Sequence, residues 1–232
     1  MVNAEMLISV VIPVFNEELT VSDVIERVKA VMHETGFDYE VIVIDDCSTD
    51  RSVAISKSRQ VQVYSLRKHR GKGYALNVGF AKAKGEIIAT IDSDGSHSPE
   101  ELPHLLNPVI HDKADLVIGS RFLRQKTISN KKFNEFGVRL FNRLIKLLTG
   151  TEVSDSQSGY RVIKAGVLKT LCLKSNEYEI ESEMLVKAVQ KGFRVKEVPI
   201  SFMQRTYGKS RLDPVADGFK ILMSILKAYV KG

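Results

Sequence analysis

The chain has 232 residues, 44% of them hydrophobic and 27% charged, with 15 Gly and 6 Pro. That is enough apolar material for a single α/β domain over 1–232, and it excludes collagen-like, disordered and disulfide-scaffold classes. Its two cysteines, Cys47 and Cys172, lack CxxC spacing, and its net charge of +6 is uneven: residues 1–120 hold 12 Lys and Arg against 18 Asp and Glu, residues 121–232 hold 22 against 10. A zinc ribbon, a redox motif and a disulfide framework therefore have no support, and a reducing intracellular compartment is expected.

Short apolar runs alternate with helical patterns over the first 120 residues, the signature of βαβ units and a mostly parallel sheet. Leu7–Val14 reads as a buried first strand, followed by a helix from Thr20 to His33. Val41–Ile44 is the second strand and ends at Asp45-Asp46; Val61–Tyr64 is the third. A helix through Ala75, Leu76, Val78, Gly79 and Phe80 follows the Gly71-Lys72-Gly73 loop, and the fourth strand, Ile87–Ile91, runs into Asp92-Ser93-Asp94. Ser98, Pro99 and Glu101 predict a capping box, and Leu116–Ile118 a fifth strand ending at Gly119-Ser120-Arg121.

Beyond residue 120 the basic residues interleave with Leu, Ile and Phe, a pattern that does not point to nucleic acid. In 136–148 Phe136, Leu140, Phe141, Leu144, Ile145, Leu147 and Leu148 recur at helical spacing with Arg139, Arg143 and Lys146 between them. Such a helix either turns a basic stripe to solvent over an ordinary core face or lies on an anionic membrane surface. Phe219–Lys231 closes the chain in similar style. No run reaches the roughly 18 to 20 uninterrupted apolar residues of a membrane span, and no signal peptide is evident, so a cytoplasmic protein is expected.

In open α/β sheets ligands bind beyond the carboxyl ends of the strands, and polar residues gather there in this chain. Asp92 and Asp94, two residues apart in an extended segment, point to one side and can present two carboxylates to a hard cation bridging a diphosphate. Alone, the same residues also read as a turn at a strand end. Asp45–Asp50 caps the next helix or offers a carboxylate to a nucleobase N–H or ribose hydroxyl. Gly71-Lys72-Gly73 lacks the P-loop pattern and, alone, reads as a flexible turn with a solvated lysine. His97 and His104 form no HExxH site, and no Ser/His/Asp nucleophile elbow occurs.

Pro13-Val14-Phe15-Asn16-Glu17, Asp45-Asp46-Cys47-Ser48-Thr49-Asp50, Gly71 through Gly79, Asp92-Ser93-Asp94 and Gly119-Ser120-Arg121-Phe122 appear in one order. Together they resemble the signature of family 2 glycosyltransferases with the GT-A fold. The resemblance continues through Ser154–Arg161, Glu197–Ile200 and Arg205–Leu212 toward the dolichyl-phosphate mannose synthase and polyprenyl-phosphate hexosyltransferase branch, which feeds protein glycosylation. It implies a Rossmann-like mixed, mostly parallel sheet flanked by helices, with a nucleotide-sugar and metal half (1–120) and an acceptor and membrane-facing half (121–232). Pro13, Glu17 and Asp46 would line the nucleoside pocket with Lys72 nearby, and Asp92 and Asp94 would hold Mg²⁺ or Mn²⁺ on the donor diphosphate. Arg121 and Arg161 would serve the lipid phosphate, and Arg205 and Lys209 a loop closing over the donor; Asp94, Arg121 and Arg161 would carry catalysis. Ser96 stands where Gln often sits in a DxDxQ form, which leaves a third metal contact in doubt.

The resemblance implies an inverting transfer of a hexose from GDP-mannose or a UDP-hexose to dolichyl or polyprenyl phosphate, at the cytoplasmic face of a membrane. Contact with that membrane would be peripheral or supplied by an anchoring partner protein. A family 2 enzyme acting on a saccharide acceptor in polysaccharide synthesis and a non-catalytic membrane-surface scaffold are the rival readings.

Overall fold

A computed structural model describes residues 6–123, 132–203 and 215–231. In chain order these form β1 (Leu7–Val14), α1 (Val21–Thr35), β2 (Asp38–Asp45), α2 (Ser52–Ser58), β3 (Gln62–Ser65), α3 (Lys72–Lys82), β4 (Ile87–Thr90), α4 (Leu102–Ile110) and β5 (Leu116–Ser120). The second half continues with α5 (Lys132–Thr149), β6 (Arg161–Lys164), α6 (Ala165–Leu171), α7 (Ile180–Gln190), β7 (Val195–Pro199) and α8 (Ala216–Lys231).

The strands make one sheet in the order β3-β2-β1-β4-β6-β5-β7, parallel except for β6, which runs antiparallel to both β4 and β5. Both faces are covered, which is why the strands read as continuous apolar runs rather than as alternating ones. Ile8, Val10 and Ile12 of β1 pack with Val24, Ile25 and Val28 of α1 and with Leu105 and Leu106 of α4. Val11 of β1 points the other way and joins Leu76 of α3, Ile145 of α5, Leu185 of α7 and Ile221 and Ile225 of α8. β1 lies between β2 and β4, so the chain leaves it to one side and later returns on the other. That reversal opens a crevice beyond the carboxyl ends of β1 and β4.

One local expectation is corrected. The capping box does not form: Ser98 makes no side-chain cap and its hydroxyl donates to Glu100. Glu101 instead accepts the backbone N–H of Ser201 at 2.8 Å and its hydroxyl at 3.0 Å, because a tertiary partner after β7 competes successfully for the carboxylate. Beyond residue 120 the four short elements β6, α6, α7 and β7 were not anticipated. β6 has four residues and takes its pairing from strands 71 to 77 and 43 to 47 positions earlier in the chain, so it carries no usable local period.

Candidate active site

Pro13, Val14 and Phe15 at the end of β1, Asp46 after β2, and Asp92 to Asp94 after β4 open onto a cavity of about 410 Å³. Its other wall comes from Glu177 and Tyr178 before α7 and from Ala216, Asp217 and Lys220 at the start of α8. Six expected site residues, Pro13, Glu17, Asp46, Lys72, Asp92 and Asp94, line it together.

The loops after β1 and β2 lock to each other. The N–H of Asn16 donates to Ser48 Oγ at 2.8 Å, that of Thr49 to Asn16 Oδ1 at 2.7 Å, and that of Glu17 to Ser52 Oγ at 2.8 Å. Asn16 and Cys47 both sit at positive φ, 56° and 67°, where a side chain is tolerated only because these bonds hold the backbone. Asp46 is buried, and its carboxylate accepts the N–H groups of Arg70 and Gly71, each at 2.7 Å, with His69 Nδ1 2.8 Å away. It thus fixes the entry into α3 while lining the cavity. His69 in turn stacks on Phe15 with centroids 4.0 Å apart, giving this end of the cavity a flat aromatic wall.

The Gly71-Lys72-Gly73 segment is not a solvated turn. Gly71 has φ +96°, and a Cβ there would lie 2.5 Å from the carbonyl oxygen of Asn176. This close approach, together with the Tyr74 N–H bond to the same carbonyl at 2.9 Å, drives Lys72 inward. Lys72 Nζ lies 2.7 Å from Asp92 Oδ1 and 2.9 Å from Glu181 Oε1. Burial alone would lower the Lys72 pKa, but these two carboxylates raise it above its ordinary value. Burial likewise opposes the charge of Asp92, and Lys72, together with His97 and Arg121, holds that carboxyl below the usual range. His97 is 2% exposed, with Nδ1 3.9 Å from Asp92 Oδ2 and its ring among Tyr160 and Phe202. Burial lowers its pKa, against the opposing pull of Asp92 and Asp94.

Asp92 and Asp94 fit a hard divalent cation. They present carboxylate oxygen to a cavity that also carries Glu17, Asp46, Glu177 and Asp217 against Lys72 and Lys220, so a diphosphate bound there needs added positive charge. Among the described residues no group of three or more His, Cys, Asp or Glu is disposed to hold a metal, so phosphate oxygens and water would complete the shell. Ser96 serves differently from the glutamine of a DxDxQ form: its N–H and hydroxyl donate to Asp94 Oδ1 at 3.0 and 2.6 Å and orient that carboxylate.

The arginines divide. Arg121 makes a bidentate pair with Asp155, Nε to Oδ2 at 2.6 Å and Nη2 to Oδ1 at 2.7 Å, and lies over the Phe202 ring. It stands outside the cavity lining yet within electrostatic reach of Asp92. Burial pulls its pKa down, and Asp155, together with Asp92 and Glu181, raises it above its ordinary value.

Arg161 is a correction. It is 2% exposed, and its guanidinium donates to the carbonyls of Ser158 at 2.8 Å, Glu181 at 2.7 Å and Ser156 at 2.7 Å. No edge of it reaches the cavity lining, because burial and three backbone acceptors tie it to the loop before β6 and the start of α7. Burial lowers its pKa to about 10, still cationic at neutral pH. Arg161→Met should therefore lower stability by about 3 kcal/mol through three orphaned carbonyls, read by urea denaturation. Unchanged stability with a raised acceptor KM would restore the phosphate-binding assignment. Arg205 and Lys209 lie outside the described residues.

Glu181, Asp155, Gly159, Asp217 and Lys220 belong to the site's surroundings and were not anticipated. Glu181 is 4% exposed in a helix whose sequence, Ile-Glu-Ser-Glu, reads as solvated; only the packing of α7 turns it inward.

Residues 9–172 match the family described as Glycosyl transferase family 2. The chain is 30% identical over 249 aligned residues to the UDP-N-acetylglucosamine--dolichyl-phosphate N-acetylglucosaminyltransferase of Methanococcus voltae, covering 96% of each chain. It is 30% identical over 215 residues to the dolichol-phosphate mannosyltransferase of Pyrococcus furiosus, covering 89% of this chain and 59% of that relative, so it spans about three fifths of the latter's length. The fold is shared with glucosyl-3-phosphoglycerate synthase from Mycobacterium tuberculosis, solved with Mn²⁺, UDP and glucosyl-3-phosphoglycerate: TM-score 0.81 at 24% identity, covering 98% of this chain and 81% of that one.

Proposed function

Because the chain belongs to glycosyl transferase family 2 and has the GT-A fold, we propose that it moves a hexose from a nucleotide-sugar to dolichyl or polyprenyl phosphate, with inversion at the anomeric carbon. The observation that carries this reading is the acidic cavity at the β1/β4 reversal, where Asp92 and Asp94 stand beside a locked Lys72. The acceptor class is supported by the relatives from Methanococcus voltae and Pyrococcus furiosus, whose names state dolichyl or dolichol phosphate.

A phosphate monoester has a second pKa of about 6, so the acceptor oxygen is anionic at neutral pH and needs no strong general base. Its oxygen forms the new bond to the anomeric carbon as the bond to the donor diphosphate breaks, and the electron pair leaves with the nucleoside diphosphate. Phe15 and His69 wall the nucleoside end, and Asp92 and Asp94 would hold Mg²⁺ or Mn²⁺. When bound, that cation supplies charge compensation for the departing diphosphate. Lys72 keeps Asp92 ionised and in place. Arg121 offsets the repulsion between two anions approaching one another.

Arg121→Lys keeps the charge but loses the bidentate pair with Asp155, and should raise the acceptor KM about tenfold with donor KM unchanged in initial-rate measurements. Equal effects on both substrates would remove Arg121 from the acceptor side.

The site acts on a lipid-anchored substrate and is therefore placed, in this reading, at the cytoplasmic face of a membrane. Among the described residues no helix is long and apolar enough to cross one, so the association is peripheral or aided by an anchoring partner. The decisive experiment is a screen of GDP-mannose and UDP-hexoses with a short polyprenyl phosphate and Mg²⁺ or Mn²⁺, with saccharide acceptors in parallel and product read by mass. A sugar-phosphate-lipid product that needs the cation supports the proposal. Transfer to saccharides alone would overturn it in favour of polysaccharide synthesis, and absence of cation-dependent nucleotide binding would leave only a scaffold.

A further inference from the structure

We infer that His97 is a positioning residue for Asp92: a ring N–H is held in reserve for Asp92 Oδ2 and fixes that carboxylate when it carries the cation. His97 is 2% exposed, and neither Nδ1 nor Nε2 has a hydrogen-bond partner among the described residues. A neutral imidazole carries one N–H and a charged one carries two, so in either state at least one donor is unspent. A buried donor left unpaired costs stability that an apolar ring of similar size would not, so its place calls for a use.

The ring stands where such a donor can be used. The other buried side-chain atoms by the cavity without a hydrogen bond belong to Glu181, and Lys72 lies 2.9 Å from that carboxylate and neutralises it. His97 Nδ1 is 3.9 Å from Asp92 Oδ2, about 1 Å beyond ordinary hydrogen-bond distance. Lys72 approaches the other oxygen, Oδ1, at 2.7 Å. Asp92 therefore has a cation at one oxygen and an unspent donor facing the other. Carboxylates that ligate a metal are themselves fixed by hydrogen bonds, and the metal is held less well when those are removed. Ser96 supplies such bonds to Asp94, and His97 is placed to supply one to Asp92.

Packing holds the ring at this spot. Tyr160 and Phe202 flank it with ring centroids 5.3 and 5.5 Å away. His97 and Phe202 form an antiparallel bridge, and the Met203 N–H donates to the Ser96 carbonyl at 2.9 Å. The loop after β4 is thus pinned to the chain leaving β7, which keeps the imidazole from swinging out to solvent. The Asp92 side chain, 25% exposed at the cavity, is the freer partner, so a small turn of its carboxylate closes the gap. His97 acts through Asp92 and not as a ligand of its own, since among the described residues no three such groups are disposed to hold a metal. The inference rests on the reading of Asp92 and Asp94 as holders of the cation, and it is independent of the acceptor.

The test is a titration of Mn²⁺ in the presence of UDP, and in parallel of GDP, with free Mn²⁺ read by EPR. His97→Phe keeps a ring without a donor and should weaken Mn²⁺ binding by about tenfold or more, with the melting temperature little changed. His97→Asn sets its amide nitrogen one bond beyond Cγ, where Nδ1 stands, and should return affinity to within about threefold of wild type. His97→Gln sets it farther out, where Nε2 stands, and should stay near the Phe variant. Unchanged affinity in His97→Phe, or equal affinities in the Asn and Gln variants, would overturn the role. Strong nitrogen couplings of bound Mn²⁺ in pulsed EPR that vanish in His97→Phe would make His97 a direct ligand and overturn it as well. No Mn²⁺ binding by wild type with either nucleotide would reject the cation site itself, and with it any role beside it.

Discussion

Replacing Asp94 by Ala is expected to lower sugar transfer by about three orders of magnitude, because the cavity would then face the donor diphosphate with one of its two paired carboxylates missing. The loss should be functional rather than structural. Asp94 Oδ1 accepts two bonds from the adjacent Ser96, at 3.0 and 2.6 Å, and their removal at a half-buried position costs about 1 kcal/mol. Calorimetric titration of Mn²⁺ with a nucleoside diphosphate should show weakened joint binding, while a thermal melt should shift little. Ser96→Ala should give a milder version of the same defect, since the carboxylate remains but loses its orienting donors. Full activity of Asp94→Ala would remove the acid pair from the mechanism.

Gly159→Ala is expected to reduce kcat by about a hundredfold, although the residue carries no functional group. A Cβ at this position would lie 2.6 Å from Lys72 Nζ and 2.9 and 3.0 Å from the two Asp92 oxygens. An isolated lysine tip would swing aside at little cost, but this one is held between Asp92 at 2.7 Å and Glu181 at 2.9 Å, so it can move only by breaking the pair that keeps Asp92 charged and in place. Arg161 prevents the loop from yielding instead, because it bonds the carbonyls of Ser156 and Ser158 on one side and Glu181 on the other. The buried arginine is thus a strut for the Lys72–Asp92 pair. Donor KM should change less than kcat, and Gly159→Ser should be at least as impaired as Gly159→Ala. Near-normal kcat in both variants would show that the Lys72–Asp92 contact does not matter for turnover.

The cationic helices show where sequence reading stops. Arg139, Arg143 and Lys146 among Leu and Phe left two options open, a basic stripe over a core face or a membrane-lying helix. The structure dissolves the choice: α5 has a buried apolar face and an exposed apolar stripe at once. Hydrophobic periodicity reports that a residue is apolar and on which side of its own helix it lies, but it cannot report which of two apolar sides meets the sheet.

From the chain alone came the parallel strands of the first half, because a strand buried on both faces must be apolar throughout, and the residues at their carboxyl ends, because strand direction fixes where Asp46, Asp92 and Asp94 emerge. Pro13, Glu17, Asp46, Lys72, Asp92 and Asp94 do converge on one cavity. The partners of those groups were decided only by tertiary packing. Glu181 reaches Lys72 from a helix 109 residues further on, Asp155 takes Arg121, and three backbone carbonyls claim Arg161. A charged side chain written in a sequence looks the same whether water, a ligand or another residue will neutralise it. The energy that separates those fates is desolvation, which depends on what is packed around the group and not on its neighbours along the chain.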